Sequence, residues 1–226
     1  MKKTVQISES IPLGIILAIA GGFMDAYSYM CRGGVFANAQ TGNMLLFGIN
    51  LCEGDWNKVF YYFSSVFSFG IGILIAEVVK YRLKDKDFIH WRQISVLGEV
   101  IVLLCVSFIP QSLNLMANCL TSLACGIQVE SFRKIKGNGI ATTMCIGNLR
   151  SANENMYKYI KERDKETGRK SLLYYFIILC FITGAVVGNL CVELFNERAI
   201  VFDAILLVNG FLIMFIDLEK GESIND

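Results

Sequence analysis

Two acids sit where acids are costly. Asp25 lies within the apolar run Ile11–Cys31, and Glu130 within the run Leu113–Phe132. A charged side chain in the middle of a membrane-length helix costs about 2.5–3.5 kcal/mol on insertion scales and marks a site by default. A carboxyl in that setting can bind a proton or a cation. Each acid is followed by a break of small polar residues. Asn38, Gln40, Thr41 and Asn43 follow Asp25; Gln128 precedes Glu130, and Thr142, Thr143 and Asn148 come after it. Their amides and hydroxyls can replace a solute's hydration without a fixed charge. The same groups can equally satisfy their own broken backbone as caps and turn bonds, and the sequence does not choose between the two. Arg133 and Lys134 offer Glu130 an ordinary ion pair, and Arg32 is the one cation close in sequence to Asp25. Glu99 and Asp203 also fall inside apolar runs and are secondary candidates, whereas Glu77, Glu193 and Asp217 fall at run ends.

The breaks are punctuated by Gly33, Gly34 and Gly42 in the first stretch and by Gly139 and Gly147 in the second. Glycine permits positive φ and close backbone approach, so these five are read as structural. The two stretches also repeat. One constant shift carries Gly21 onto Gly126, Asp25 onto Glu130, Tyr27 onto Phe132, and Gly42-Asn43-Met44 onto Gly147-Asn148-Leu149. The spacing from Gly72 to Glu77 returns as Gly188 to Glu193.

The elements that must hold these residues follow from composition. Of 226 residues, 54% are hydrophobic and only two are proline, so several uninterrupted apolar runs are available. About 20 apolar residues in a helix cross a bilayer. Backbone polar groups in lipid must pair within the segment, which makes such runs helices. Six spans are expected: Ile11–Cys31, Val59–Val79, Ile94–Ile109, Leu113–Phe132, Ser171–Phe195 and Ala199–Ile216. The start of the first can also be drawn as a cleavable leader, with Lys2, Lys3 and Ala18-Ile19-Ala20, but the apolar run continues past Ala20. The stretch Val35–Leu51 is too polar at its start for a span and reads as a re-entrant loop or half-helix. Glu154–Arg169 is charged and amphipathic.

The expected fold class is therefore an all-α polytopic membrane protein, a single transmembrane domain over residues 1–226. Six transmembrane helices would form two inverted three-helix repeats with glycine-broken loops, near residues 11–110 and 113–217. Three spans per unit is odd, so the second unit enters the membrane from the opposite side, as in many transporters. Lysine and arginine concentrate at the N-terminus, in Lys80–Arg92 and in the loop Arg133–Lys170. The positive-inside rule then places both termini and that charged loop in the cytoplasm.

Several classes are excluded. A net charge of +1 gives no field for nucleic acid. A single histidine, His90, leaves no histidine-based metal site or triad. Phosphate-binding and nucleophile-elbow motifs are absent, so no enzyme, catalytic residue, metal or cofactor is expected. Most of the eight cysteines lie in apolar runs; Cys31 and Cys52 flank one loop, a pairing that sequence alone cannot establish.

The segment Gly22–Gly48, with Asp25, Gly34-Val35-Phe36 and Gln40-Thr41-Gly42-Asn43, resembles the YoaK family of bacterial membrane proteins. Gly126-Ile127-Gln128, Thr142-Thr143 and Gly147 are similar to its second half. Ile146 and Asn148 stand where relatives are expected to carry threonines. The resemblance implies a six-span inner-membrane protein and brings no established substrate. The functional expectation is a transporter or channel for a small solute or ion, with its path between the two repeats. Asp25, Asn38, Gln40, Thr41 and Asn43 would line one side, and Gln128, Glu130, Thr142, Thr143 and Asn148 the other. Its partners would be the bilayer and that solute, and homo-oligomerisation is open. The alternative is a sensor or scaffold acting through the basic loop.

Overall fold

The computed structural model describes residues 10–84, 90–135 and 137–222, with side chains through Met214. The N-terminal Lys2 and Lys3, the middle of the basic stretch Lys80–Arg92 and the last four residues lie outside the described residues. Eight α-helices are described: α1 (Ile11–Cys31), α2 (Gln40–Glu53), α3 (Trp56–Leu83), α4 (Trp91–Val106), α5 (Asn114–Ser131), α6 (Cys145–Glu162), α7 (Lys165–Phe195) and α8 (Ile200–Glu222). Among the described residues the only β pairing is the isolated bridge Ile135–Asn138.

Local chemistry sets the helix ends. Ser10 Oγ accepts the N–H of Leu13, and Pro12 sits in the first turn of α1, where a missing N–H is harmless. α1 stops because Gly33 and Gly34 take φ of +88° and +77°, a left-handed turn that side chains resist. His90 and Gln93 form a capping box on α4. Asp164 caps α7, accepting N–H groups of Glu166 and Thr167; the Thr167 hydroxyl and these N–H groups hold its carboxyl below the ordinary range.

Three helical segments are long and apolar enough to cross a membrane: Ile11–Cys31, Trp56–Leu83 and Lys165–Met214, the last running through α7 into α8. With helices lined by exposed leucine, isoleucine and phenylalanine, such as Leu74, Phe67, Leu179 and Leu212, this is a membrane protein. Of the re-entrant loop or half-helix expected over Val35–Leu51, the structure shows an irregular start, Val35–Ala39, followed by the helix α2. The charged amphipathic stretch Glu154–Arg169 is largely helical. α6 runs without a break from the second motif to Glu162, and α7 takes up at Lys165.

Helix packing is organised by two crossings, α1 on α7 and α3 on α5. Both place glycine against a facing carbonyl. A β-carbon at Gly22 would run into the Phe181 oxygen, and one at Gly184 into the Ile19 oxygen. In the second crossing Gly126 faces the Phe69 oxygen and Gly72 the Leu123 oxygen. Small residues permit such approach, and dispersion then holds the pair where lipid supplies no hydrophobic drive. α4 packs on α8 and α5, and α8 also on α1. Two glycines read as structural have no such role: at Gly139 and Gly147 the φ is ordinary and a β-carbon would meet nothing. The left-handed position in that stretch is Gly137, at φ +75°.

The crossings make a direct prediction. Gly72→Ala and Gly184→Ala drive a methyl into backbone, so both variants should melt well below the parent in detergent. Gly48→Ala, in open space, should melt with it. Equal melting of all three would show that the crossings tolerate separation.

Candidate functional site

The site begins with the problem of the α2 N-terminus. Its N-cap residue, Ala39, has no side chain able to accept the free N–H groups. Asp25 supplies the acceptor from α1. Its Oδ1 receives the N–H of Asn38 at 2.7 Å and of Ala39 at 3.3 Å. Asn38 Nδ2 donates back to the Gly21 carbonyl at 3.0 Å, so the break is sewn to α1 at two points. Gln40 and Asn43 close the turn itself. Gln40 Nε2 donates to the Ala37 carbonyl at 2.7 Å; Asn43 receives the Phe36 N–H at 3.0 Å and donates to the Phe36 carbonyl at 2.7 Å. Asn43 also reaches Ser65 of α3 at 3.2 Å, and Ser65 bonds Ser122 of α5 at 2.6 Å.

The second break uses the same device. Asn148 Nδ2 donates to the Ala141 carbonyl at 2.6 Å, seven residues back, as Asn43 does to Phe36. The α6 N-terminus likewise has no side-chain cap. The two breaks meet at one residue of α1: Asn38 holds the Gly21 carbonyl, and a β-carbon on Gly21 would strike Thr143 Cγ2 at 2.6 Å.

Where they meet there is a cavity of about 990 Å3. Asp25, Asn38, Gln40 and Thr41 line it from the first break, and Thr143 to Gly147 from the second. The remaining walls are largely apolar: Tyr29, Met30 and Phe36, then Val66, Phe69 and Ile73 of α3, and Phe181 and Ala185 of α7. The Thr143 hydroxyl is buried with no hydrogen-bond partner.

The other sequence candidates lie elsewhere. Asn43 and Asn148 are buried and occupied by their own backbones, off the cavity wall. Gln128 is buried and donates to the Leu17 carbonyl at 2.9 Å. Thr142 is buried behind the wall. Glu130 is not part of the site: it pairs with Arg133 at 3.1 Å and Lys80 at 4.0 Å, because it stands at the end of α5 where cations reach it. Arg32 does not serve Asp25. Fully buried, it donates to the Tyr27 hydroxyl at 2.8 Å, Asn114 Oδ1 at 3.1 Å and the Val106 carbonyl at 3.2 Å, tying the ends of α1, α4 and α5 together. Cys31 and Cys52 are free thiols, one buried and one exposed. Sequence reasoning missed Asn189 of α7 and Cys145, both on the wall; Cys145 occupies the place that Gln40 holds at the start of α2. Among the described residues no group of three metal-ligating side chains comes together.

Comparison with known proteins gives a family and a transmembrane relative. The family model described as protein of unknown function DUF1275 matches residues 13–215. The UPF0700 transmembrane protein YoaK of Bacillus subtilis (strain 168) is 24% identical over 206 residues, covering 87% of this chain and 90% of that protein. No solved structure matches the chain.

The geometry separates clamp from wall. Asn43→Ala should lower stability by about 1–3 kcal/mol, because it strands buried backbone groups. Thr41→Ala, on the cavity wall, should leave stability unchanged. Thermal melting of the two purified variants checks this, and equal stability would remove Asn43 from its clamping role.

Proposed function

Because the chain belongs to the family described as protein of unknown function DUF1275, we propose its role from its own geometry: a transporter or channel for a small solute, with the path between two inverted three-helix repeats. The observation that carries this reading is the cavity at the meeting of two helix N-termini, with a carboxylate on its wall. Half-helices whose N-termini converge on a midplane site are a recurrent transporter device. Walls with few polar groups suit a small organic solute better than a bare ion, since a hydrated ion needs a full shell of oxygens in exchange. Asp25 and Thr143 would fix the solute's polar end, and the Phe36, Phe69 and Phe181 side chains its apolar part.

The inverted repeat draws support from how partners exchange. In the proposed pairing, α1 corresponds to α5 and α3 to α7; α1 packs on α7, and α5 on α3. The contact atoms correspond as well. One shift carries Gly22 to Gly126 and Ile19 to Leu123, and another carries Gly72 to Gly184 and Phe69 to Phe181. The first of these is one residue shorter than the shift that aligns the half-helices at Gln40 and Cys145. The extra residue is absorbed in the break, so Asp25 falls opposite Val129 rather than Glu130. Likewise Gly184, one turn before Gly188, is the partner of Gly72. Six spans with both termini in the cytoplasm of the inner membrane complete the proposal, resting on the placement of lysine and arginine.

A second reading is a sensor. It is favoured by α6, which runs unbroken from the cavity at Cys145 to a charged end at Glu162 and would carry motion from one to the other.

Single-cysteine accessibility tests the proposal. The wall position Cys145 is kept as the only native thiol, and Thr41→Cys is made separately in a background without the eight native cysteines. With a membrane-impermeant thiol reagent applied from each face, both positions should label, with the accessible face changing between conditions. Labelling from one fixed face, with crosslinks from the α6 end altering it, would favour the sensor. Sealing of both positions from both faces would defeat the transport reading.

A further inference from the structure

A second buried site lies at the contact between α4 and α8, neither of which contributes to the cavity wall. Each helix places one carboxyl there. Glu99 and Asp203 are both 0% exposed, and none of their four oxygens has a hydrogen-bond partner. Neither takes part in an ion pair with any described lysine or arginine. Asp203 lies within electrostatic reach of Glu99. The Cys125 thiol of α5 lies within electrostatic reach of both, and Asp25 of α1 within reach of that thiol; neither can carry a positive charge. Val100 and Leu103 of α4 and Ala204 and Leu207 of α8, beside them in sequence, belong to the buried apolar core.

Such a pair is expensive in every form but one. An unpaired carboxylate in a low-dielectric interior costs several kcal/mol even after relaxation. A second carboxylate within electrostatic reach adds repulsion, so ionising both is costlier than ionising one. A metal ion would need further ligands, and among the described residues no histidine, cysteine or third acid completes a metal-holding group with them. The proton is the ligand that removes the charge while asking for no coordination shell.

The shift that superposes the α1 and α5 crossing residues also carries Glu99 onto Asp203. Both halves of the chain therefore put an acid at the same place in their last helix, and those two helices, α4 and α8, pack on each other. A chance acid in a core helix does not predict a matching one across the contact.

We propose that Glu99 and Asp203 form a proton-binding pair, each holding a proton while α4 and α8 are closed and giving it to water when that contact opens. In each step one carboxyl O–H bond breaks, the proton goes to water, and a hydrated carboxylate remains. The assignment does not rest on transport through the cavity.

Infrared spectroscopy of the purified full-length protein in nanodiscs reads it directly. At neutral pH the carbonyl band of protonated carboxyls should be present; Glu99→Gln and Asp203→Asn should each remove part of it, and the double variant the share of both. These amides imitate the neutral acids in shape and charge. The parent should lose thermal stability as pH rises above the ordinary carboxyl range, since the folded state holds protons that the unfolded state has released. The double variant should lose that slope. Should either amide variant fail to fold, a lipid-soluble carbodiimide, which modifies protonated carboxyls, should label Glu99 or Asp203 in the parent, with labelling falling as pH rises. An infrared band and a pH slope unchanged in the variants, absence of labelling, or a sodium-dependent rather than pH-dependent response would each overturn the proposal.

Discussion

A hydrocarbon interior leaves no water to pair a broken backbone, and the rest of this structure depends on how that deficit is met. Each interruption of an apolar helix strands N–H and carbonyl groups worth several kcal/mol apiece. The chain meets the cost with side chains brought from elsewhere. Asp25 accepts the N–H groups that Ala39 cannot cap, Asn43 and Asn148 close seven-residue turns, and Asn38 ties the first break to Gly21. Arg32 does the same at the ends of three helices, with Asn118 donating to its carbonyl at 2.7 Å. The polar residues that stand out in the sequence are thus mostly those that allow the helices to break at all.

What the breaks gain is position. Two half-helices can end beside one another only if the long helices around them approach closely, and the glycine crossings provide that approach. With Gly22 and Gly184 against backbone on one side and Gly72 and Gly126 on the other, α1–α7 and α3–α5 become two tight pairs. The cavity is the space left between these pairs and the ends of α2 and α6. Ser65 and Ser122 link the first break to the α3–α5 pair, so the cavity wall and the crossing share one hydrogen-bonded chain through Asn43.

Much of this was legible because membrane helices write their length in composition. Ile11–Cys31 agrees with α1 residue for residue, and the half-helix was visible from a polar start followed by an apolar run. The unusual acid at Asp25 also pointed to the right place. Other features were hidden for physical reasons. A side chain that clamps backbone and one that faces a cavity use the same amide chemistry, so Asn43 and Thr41 look alike in sequence. Glu130 looked like Asp25 in sequence, but the end of α5 brings it within reach of Arg133 and Lys80. Arg32 gave no signal because its partners are a phenol, an amide and a carbonyl on distant segments. Asn189 could have been found only by knowing that α7 crosses α1.

The three buried acids of this core divide along the same line. Asp25 lies against free N–H groups, which reward a negative oxygen and hold it in a fixed direction; its environment resembles an anion site that the chain has filled itself. Glu99 and Asp203 have no donor at all, so nothing in their surroundings rewards a charge. A chain selected only for stability would replace such a pair with leucine, because well-packed apolar residues of similar volume are commonly as stable or more so. The clamp explains why Asp25 must be an acid or a close substitute. No packing argument explains Glu99 and Asp203, and the cost of keeping two acids there is the reason to look for work done by their protons.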